Sequence, residues 1–139
     1  MRFIIRLVVV GLSLGAVPAQ DKALKDLAGA YGVTAFERNG SAVPAEVKAS
    51  ITAVTIADGK LTIAMGNKEF TATLKLDSSK PKAEVDLFPL NAAYEKGRKF
   101  PGIYEYKGGT LMLIYVEDGE RPKDFISSQG TTKLVLEKK

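Results

Sequence analysis

The chain has 139 residues, of which 45% are hydrophobic and 26% charged, the size and balance of one globular domain. It contains no Cys, no His and no Trp. That excludes disulfides, thiolate metal sites, cysteine nucleophiles and every catalytic arrangement that turns on histidine. The formal net charge is +4.

The opening residues read as a secretory signal. Arg2 and Arg6 give a positive start, residues 7–15 an apolar stretch, and Val17-Pro18-Ala19 the small residues of a cleavage site. The apolar run from Phe3 to Val17 is broken by Arg6 and falls short of the ~20 residues that a spanning helix needs. The expectation is a leader over 1–19 and a mature domain over 20–139. The product would be exported, to the periplasm or the exterior, with no stable membrane anchor after cleavage. Loss of Arg2 and Arg6 leaves 18 basic against 16 acidic residues, a net charge of +2. That is too little for the basic stripe of a nucleic-acid binder, so Lys96, Arg98 and Lys99, and Lys80 and Lys82, read as solvated loop charges.

The mature part opens with a short helix. Asp21 is its expected cap, Ala23, Leu24, Leu27 and Ala28 form its apolar face, and Gly29 ends it. Beyond Gly29 the pattern changes to period 2. The alternation predicts strands over Tyr31–Arg38, Ile51–Ala57, Lys60–Met65, Glu69–Leu76, Ala83–Leu87, Gly102–Lys107, Thr110–Val116 and Thr132–Glu137. Asn39-Gly40, Asp58-Gly59, Gly66-Asn67, Gly108-Gly109 and Asp118-Gly119 supply the residues of tight hairpin turns. Val43–Ala49 reads as a helical turn. Glu120–Ser127 is ambiguous, with Pro122 at a plausible helix start. Eight antiparallel strands on short turns give an all-β fold, an up-and-down barrel that removes its edges by closing.

Two stretches depart from simple alternation. Leu111–Val116 is apolar on both faces, which implies either a covered central strand or an oligomer contact on its outer side. Phe88–Lys99 is a long connection carrying Phe88, Leu90 and Tyr94, which either cap the barrel or close over a ligand. Tyr104 and Tyr106 share a face and, with Phe70, Leu74 and Tyr94, are the candidate ligand-lining residues. An apolar body with a polar tip suits them to orient a small molecule. Glu117, Asp118 and Glu120 lack calcium-site spacing and read as a solvated turn. Asp86 and Glu105 sit inside strands, and paired carboxylates could run glycoside hydrolysis without His or Cys. No phosphate loop, dinucleotide fingerprint or nucleophile elbow occurs, so no catalytic residue, metal or cofactor is expected.

The second half carries a series of segments in order: Lys80-Pro81-Lys82-Ala83-Glu84-Val85-Asp86-Leu87, Gly102-Ile103-Tyr104-Glu105, Glu120-Arg121-Pro122-Lys123-Asp124-Phe125 and the closing Leu134-Val135-Leu136-Glu137-Lys138-Lys139. With Leu27-Ala28-Gly29-Ala30-Tyr31 before them, they resemble the lipocalin-like secreted domain of planctomycete bacteria, a family of unknown function. Tyr31 stands where that family has Trp, and the segment from Pro81 to Asp86 holds one extra residue, which a β-bulge would absorb. The resemblance implies a lipocalin-like barrel and an exported protein. It also implies that Arg121 packs across Tyr31 and closes the base of the barrel, a structural pair.

Three functions follow as expectations. The first is a non-enzymatic barrel that binds a small apolar or amphipathic molecule. The second is an envelope structural or interaction module using an outer face such as Met112, Ile114 and Val116, with its protein partner unspecified. The third and least favoured is a carboxylate hydrolase.

Overall fold

The computed structural model describes residues 19–139. The leader expected over 1–19 thus lies outside the described residues except for Ala19. The first element is α1 (Ala19–Leu27), which places Asp21 inside the first turn rather than at the cap. There its carboxylate still faces the positive end of the helix dipole.

The strands are β1 (Gly29–Arg38), β2 (Ser41–Ala42), β3 (Ile51–Ala57), β4 (Lys60–Met65), β5 (Lys68–Asp77), β6 (Glu84–Pro89), β7 (Phe100–Lys107), β8 (Thr110–Val116) and β9 (Thr131–Lys138), with α2 (Ala45–Ala49) between β2 and β3. Strands β1 and β3 to β9 pair antiparallel in sequence order, and β9 returns to β1, so eight strands close into a barrel. The two-residue β2 is a flap on the end of β1. The sequence places β3, β4 and β8 to the residue, β4 by alternation and β8 as an apolar run between turn residues. Asn39 and Asp58 take positive φ, 54° and 53°, ahead of their glycines, as tight hairpins demand.

The turns at 58–59 and 108–109, the 78–83 connection and α1 lie at one end, which is closed. Leu27 packs there against the core with Ala23 and Leu24. The Leu76 amide donates to Gln20 Oε1 at 2.9 Å and fastens the helix to β5. At the other end lie the turns at 39–40 and 66–67, the 90–99 connection and both roots of the 117–130 connection.

The 117–130 segment contains no helix. The Ile126 amide donates to Asp124 Oδ1 at 3.0 Å, and Lys82 Nζ donates to Lys123 O at 2.6 Å, so local and cross-chain bonds take the place of a helical ladder. The segment runs as a strap over the outer faces of β8, β7 and β6. Beneath it the outward-pointing Ile103, Ile114 and Val116 are only 2%, 0% and 7% exposed. The double-sided apolarity of Leu111–Val116 is therefore answered within the chain. The outer face of Ile114 and Val116 is covered by the strap and is not a free partner surface. No bulge interrupts the segment that follows Pro81: the β5–β6 register runs unbroken from Asp77 opposite Glu84 to Ala72 opposite Pro89.

The barrel wall is uneven at one seam. β1 pairs with β3 only through Gly29, Ala30 and Tyr31. Bulges at Val33/Ala35 and Ile51/Ala53 then let the two strands diverge. The segment carrying α2 bridges the gap: the Val43 amide donates to Phe36 O at 3.1 Å and Lys48 Nζ to Thr34 O at 3.0 Å.

Candidate ligand pocket at the open end of the barrel

Inward positions alternate along every strand, so the fold brings the candidate side chains into one interior. Their height along the barrel then separates them. Leu74 lies in the closed half among Ile56, Leu61, Leu76 and Val85, where the remaining void is about 10 Å³. That is space for one water at most. The lower half is a filled core.

Tyr104 packs into that core from the β7 side and, with Tyr106, also edges a groove of about 700 Å³ between α1 and the 78–83 turn at the closed end. These two tyrosines therefore do not share a cavity with Phe70 and Tyr94. Burial pushes the Tyr104 hydroxyl pKa up, with Asp77 and Asp26 adding to it.

Phe70 and Tyr94 meet at the open end. They line a pocket of about 540 Å³ whose apolar walls include Phe36, Ile51, Ile63 and Met65. Tyr115 and Leu134 complete the wall on the β8–β9 side. Behind the wall the rings are ordered. Phe70 and Phe100 are parallel with centroids 6.5 Å apart, and Phe100 and Tyr115 are parallel at 5.8 Å. Tyr94 meets Phe70 and Phe100 edge-on, at 6.5 and 5.4 Å. Parallel rings at these separations and edge-on pairs are favourable aromatic geometries, so the four rings brace one another.

The 90–99 connection holds Tyr94 in place from both sides. Asn91 Oδ1 accepts from the Thr71 amide at 3.0 Å, and its Nδ2 donates to Glu69 O at 2.7 Å. Arg98 donates to Glu117 O and to Asp118 Oδ1, each at 3.0 Å, with its guanidinium 5.5 Å above the Phe100 ring. Of the residues expected in this connection, Tyr94 reaches the pocket and Leu90 points away, 53% exposed.

Polar groups gather at the rim: Arg38, Lys68, Glu69, Asn91, Glu117 and Thr132. Arg38 stands 5.6 Å over the Phe36 ring. The Tyr115 hydroxyl pKa is pushed up to about 12, chiefly by burial and then by Glu117. Sequence reasoning passed over Arg38, Lys68, Tyr115 and Thr132. Their strand phase was readable, since Arg38 follows Phe36 and Tyr115 follows Leu113 at two-residue spacing. Which end of the barrel each occupies depends on inter-strand register.

The expected pair of Arg121 and Tyr31 is not formed. Arg121 belongs to the strap, and its side chain reaches down onto the outside of the barrel. It donates to Val85 O and Gly102 O at 3.0 and 2.9 Å, and pairs with Asp86 at 2.8 Å and Glu84 at 3.7 Å. Those carbonyls and carboxylates satisfy its fixed fork of donors better than a ring face would. Asp86 is thereby committed to Arg121. The cation over Tyr31 is Lys138, 5.9 Å from its centroid and 5.3 Å from that of Tyr106. Its ammonium donates to Asp26 O at 2.9 Å, at the carbonyl-rich end of α1. A side chain at Gly29, which sits at φ 150°, would strike the Lys138 stem.

Among the described residues no cluster of three metal-ligating side chains occurs. Fold and pocket together define an antiparallel up-and-down barrel with a filled lower half and an aromatic-walled cavity at its mouth. Comparison with protein-family models, curated proteins and solved structures finds no match.

Proposed function

We propose that the open end of this barrel binds a small apolar or amphipathic molecule, and that the protein is an exported, non-enzymatic carrier of the lipocalin-like planctomycete type. The observation that carries this reading is the contrast between the two halves. Inside the barrel the closed half retains about 10 Å³ of void, its 700 Å³ groove lying outside the core against α1 and the charged 78–83 turn, whereas the open half keeps about 540 Å³ in the interior lined by aromatic and aliphatic groups. That volume is within the range of small-molecule sites, and mostly apolar walls with a few convergent polar groups are their usual lining. The absence of His and Cys from the sequence, with Asp86 held by Arg121, supports a binding rather than a catalytic role. The leader-like opening of the sequence supports export.

Native mass spectrometry of protein purified from cells that make it naturally tests the reading. A retained small molecule, lost on mild activation and absent from Phe70→Ala, is the expected result. Protein that carries nothing and takes up no added amphiphile would overturn it.

A further inference from the structure

We infer that the pocket's ligand is a single-chain amphiphile with an anionic head, a carboxylate or a phosphate monoester, bound tail-inward with its head between Arg38 and Lys68. This rests on the reading of the open end as the ligand site and names the chemistry that it selects.

Three observations carry it. First, Arg38 and Lys68 occupy inward-facing strand positions, two residues from Phe36 and Phe70 respectively, so their stems run along the apolar wall and their charges end at the rim. Second, neither cation has an ion-pair or side-chain hydrogen-bond partner among the described residues. The neighbouring cation Arg98 is satisfied by Asp118 and the Glu117 carbonyl. Third, neither carboxylate of the lining neutralises them: Glu69 stands on the outward phase of β5, Glu117 follows the end of β8, and neither forms an ion pair with Arg38 or Lys68. Arg38 lies over the Phe36 ring, a placement that orients its planar donor fork while leaving the N–H groups open to a planar or tetrahedral anion. Below the rim the walls are apolar down to Ile63 and Leu134, which suits an alkyl tail and gives a second charge no partner.

The test is a matched series of one chain length: dodecanoate, dodecyl phosphate, dodecanol and dodecyltrimethylammonium, titrated at low salt by displacement of a fluorescent fatty alcohol. The two anions should bind about tenfold more tightly than dodecanol, a difference of about 1.4 kcal/mol, and the ammonium more weakly than either. In the double variant Arg38→Gln, Lys68→Gln the anions should fall to the affinity of the alcohol. Thermal melts check that the variant is folded. A head preference for phosphate over carboxylate, or the reverse, identifies the source of the anion. If dodecanol and the anions bind equally, or the ammonium binds best, the head assignment is overturned while the pocket stands. If no member of the series displaces the probe, both fail.

Discussion

The Tyr31 hydroxyl donates to the Leu27 carbonyl at 2.6 Å, in the buried floor of the barrel. Leu27 is the last residue of α1, so this bond closes one of the carbonyls that a helix end leaves unsatisfied. Lys138 closes the next, Asp26 O, from the other end of the chain. The first strand of the barrel and the last thus cap the same helix, and the plug is continuous with the core.

Tyr31→Phe keeps the ring and removes only that bond. It should destabilise the fold by ~1–3 kcal/mol, because the Leu27 carbonyl stays buried without its partner. Urea midpoints of the two proteins measure this. An unchanged midpoint would mean that water replaces the hydroxyl there.

Arg121 should matter to stability and leave ligand affinity alone, since it lies outside the barrel wall. Arg121→Ala strands two carbonyls and leaves Glu84 and Asp86 facing each other, at a cost of ~1–3 kcal/mol. Arg121→Lys should recover little, because an ammonium cannot reproduce the fork. Loss of probe binding without a shift in midpoint would place Arg121 in the site instead.

Tyr104 and Phe70 should respond oppositely to truncation. Tyr104→Ala opens a cavity against a filled core and should cost about 3 kcal/mol with a small change in binding. Phe70→Ala widens a pocket that opens at the barrel mouth, so its midpoint shift should be the smaller and its loss of affinity the larger. The reverse pattern would move the site to the closed end.

Alkaline pH should weaken the fold. Tyr31 and Tyr115 are each pushed up to about 12, Tyr31 by burial and then by Tyr106. In the unfolded chain a tyrosine ionises near its ordinary value of 10, so between about 10 and 12 the unfolded state has lost protons that the native state keeps. The stabilisation is complete below pH 10 and drains as pH rises through 12, by up to about 1.4 kcal/mol per pH unit for each residue. Near-ultraviolet absorbance reads this directly, because the chain has five Tyr and no Trp. Coincident titration of all five at the ordinary value in native protein would contradict it.

The seam between β1 and β3 should be the least protected part of the wall. No residue of α2 is buried, and the segment is held by the Lys48–Thr34 and Val43–Phe36 bonds. Hydrogen exchange should be faster at Val47–Ser50 than in β4 or β8. Equal protection would show that α2 is an integral part of the barrel.

Strand boundaries were legible because they depend on neighbours in the sequence. The alternation from Lys60 to Met65 and the Asp58-Gly59 turn specify β4 without reference to anything distant. The site was legible only as a set of inward phases. Phe70 and Tyr104 share the interior, but strand tilt and register put Phe70 beside Ile63 near the open mouth and Tyr104 beside Leu113 near the closed floor. The floor cation was missed because Lys138 reads as part of a basic tail. Nothing local in Lys138-Lys139 indicates that one of them folds back over two tyrosines. The strap was missed for a similar reason: its bonds from Arg121 to Val85 and Gly102 span 36 and 19 residues.

The account stands most directly on where an amphiphile lands. Assigned NMR spectra of the protein titrated with dodecanoate would locate it. Saturable shifts should cluster at Ile51, Ile63, Met65, Phe70 and Tyr94, with Tyr104, Tyr106 and Leu74 unmoved. Shifts confined to α1, Tyr104 and Tyr106, or none that saturate, would contradict a ligand pocket at the open end.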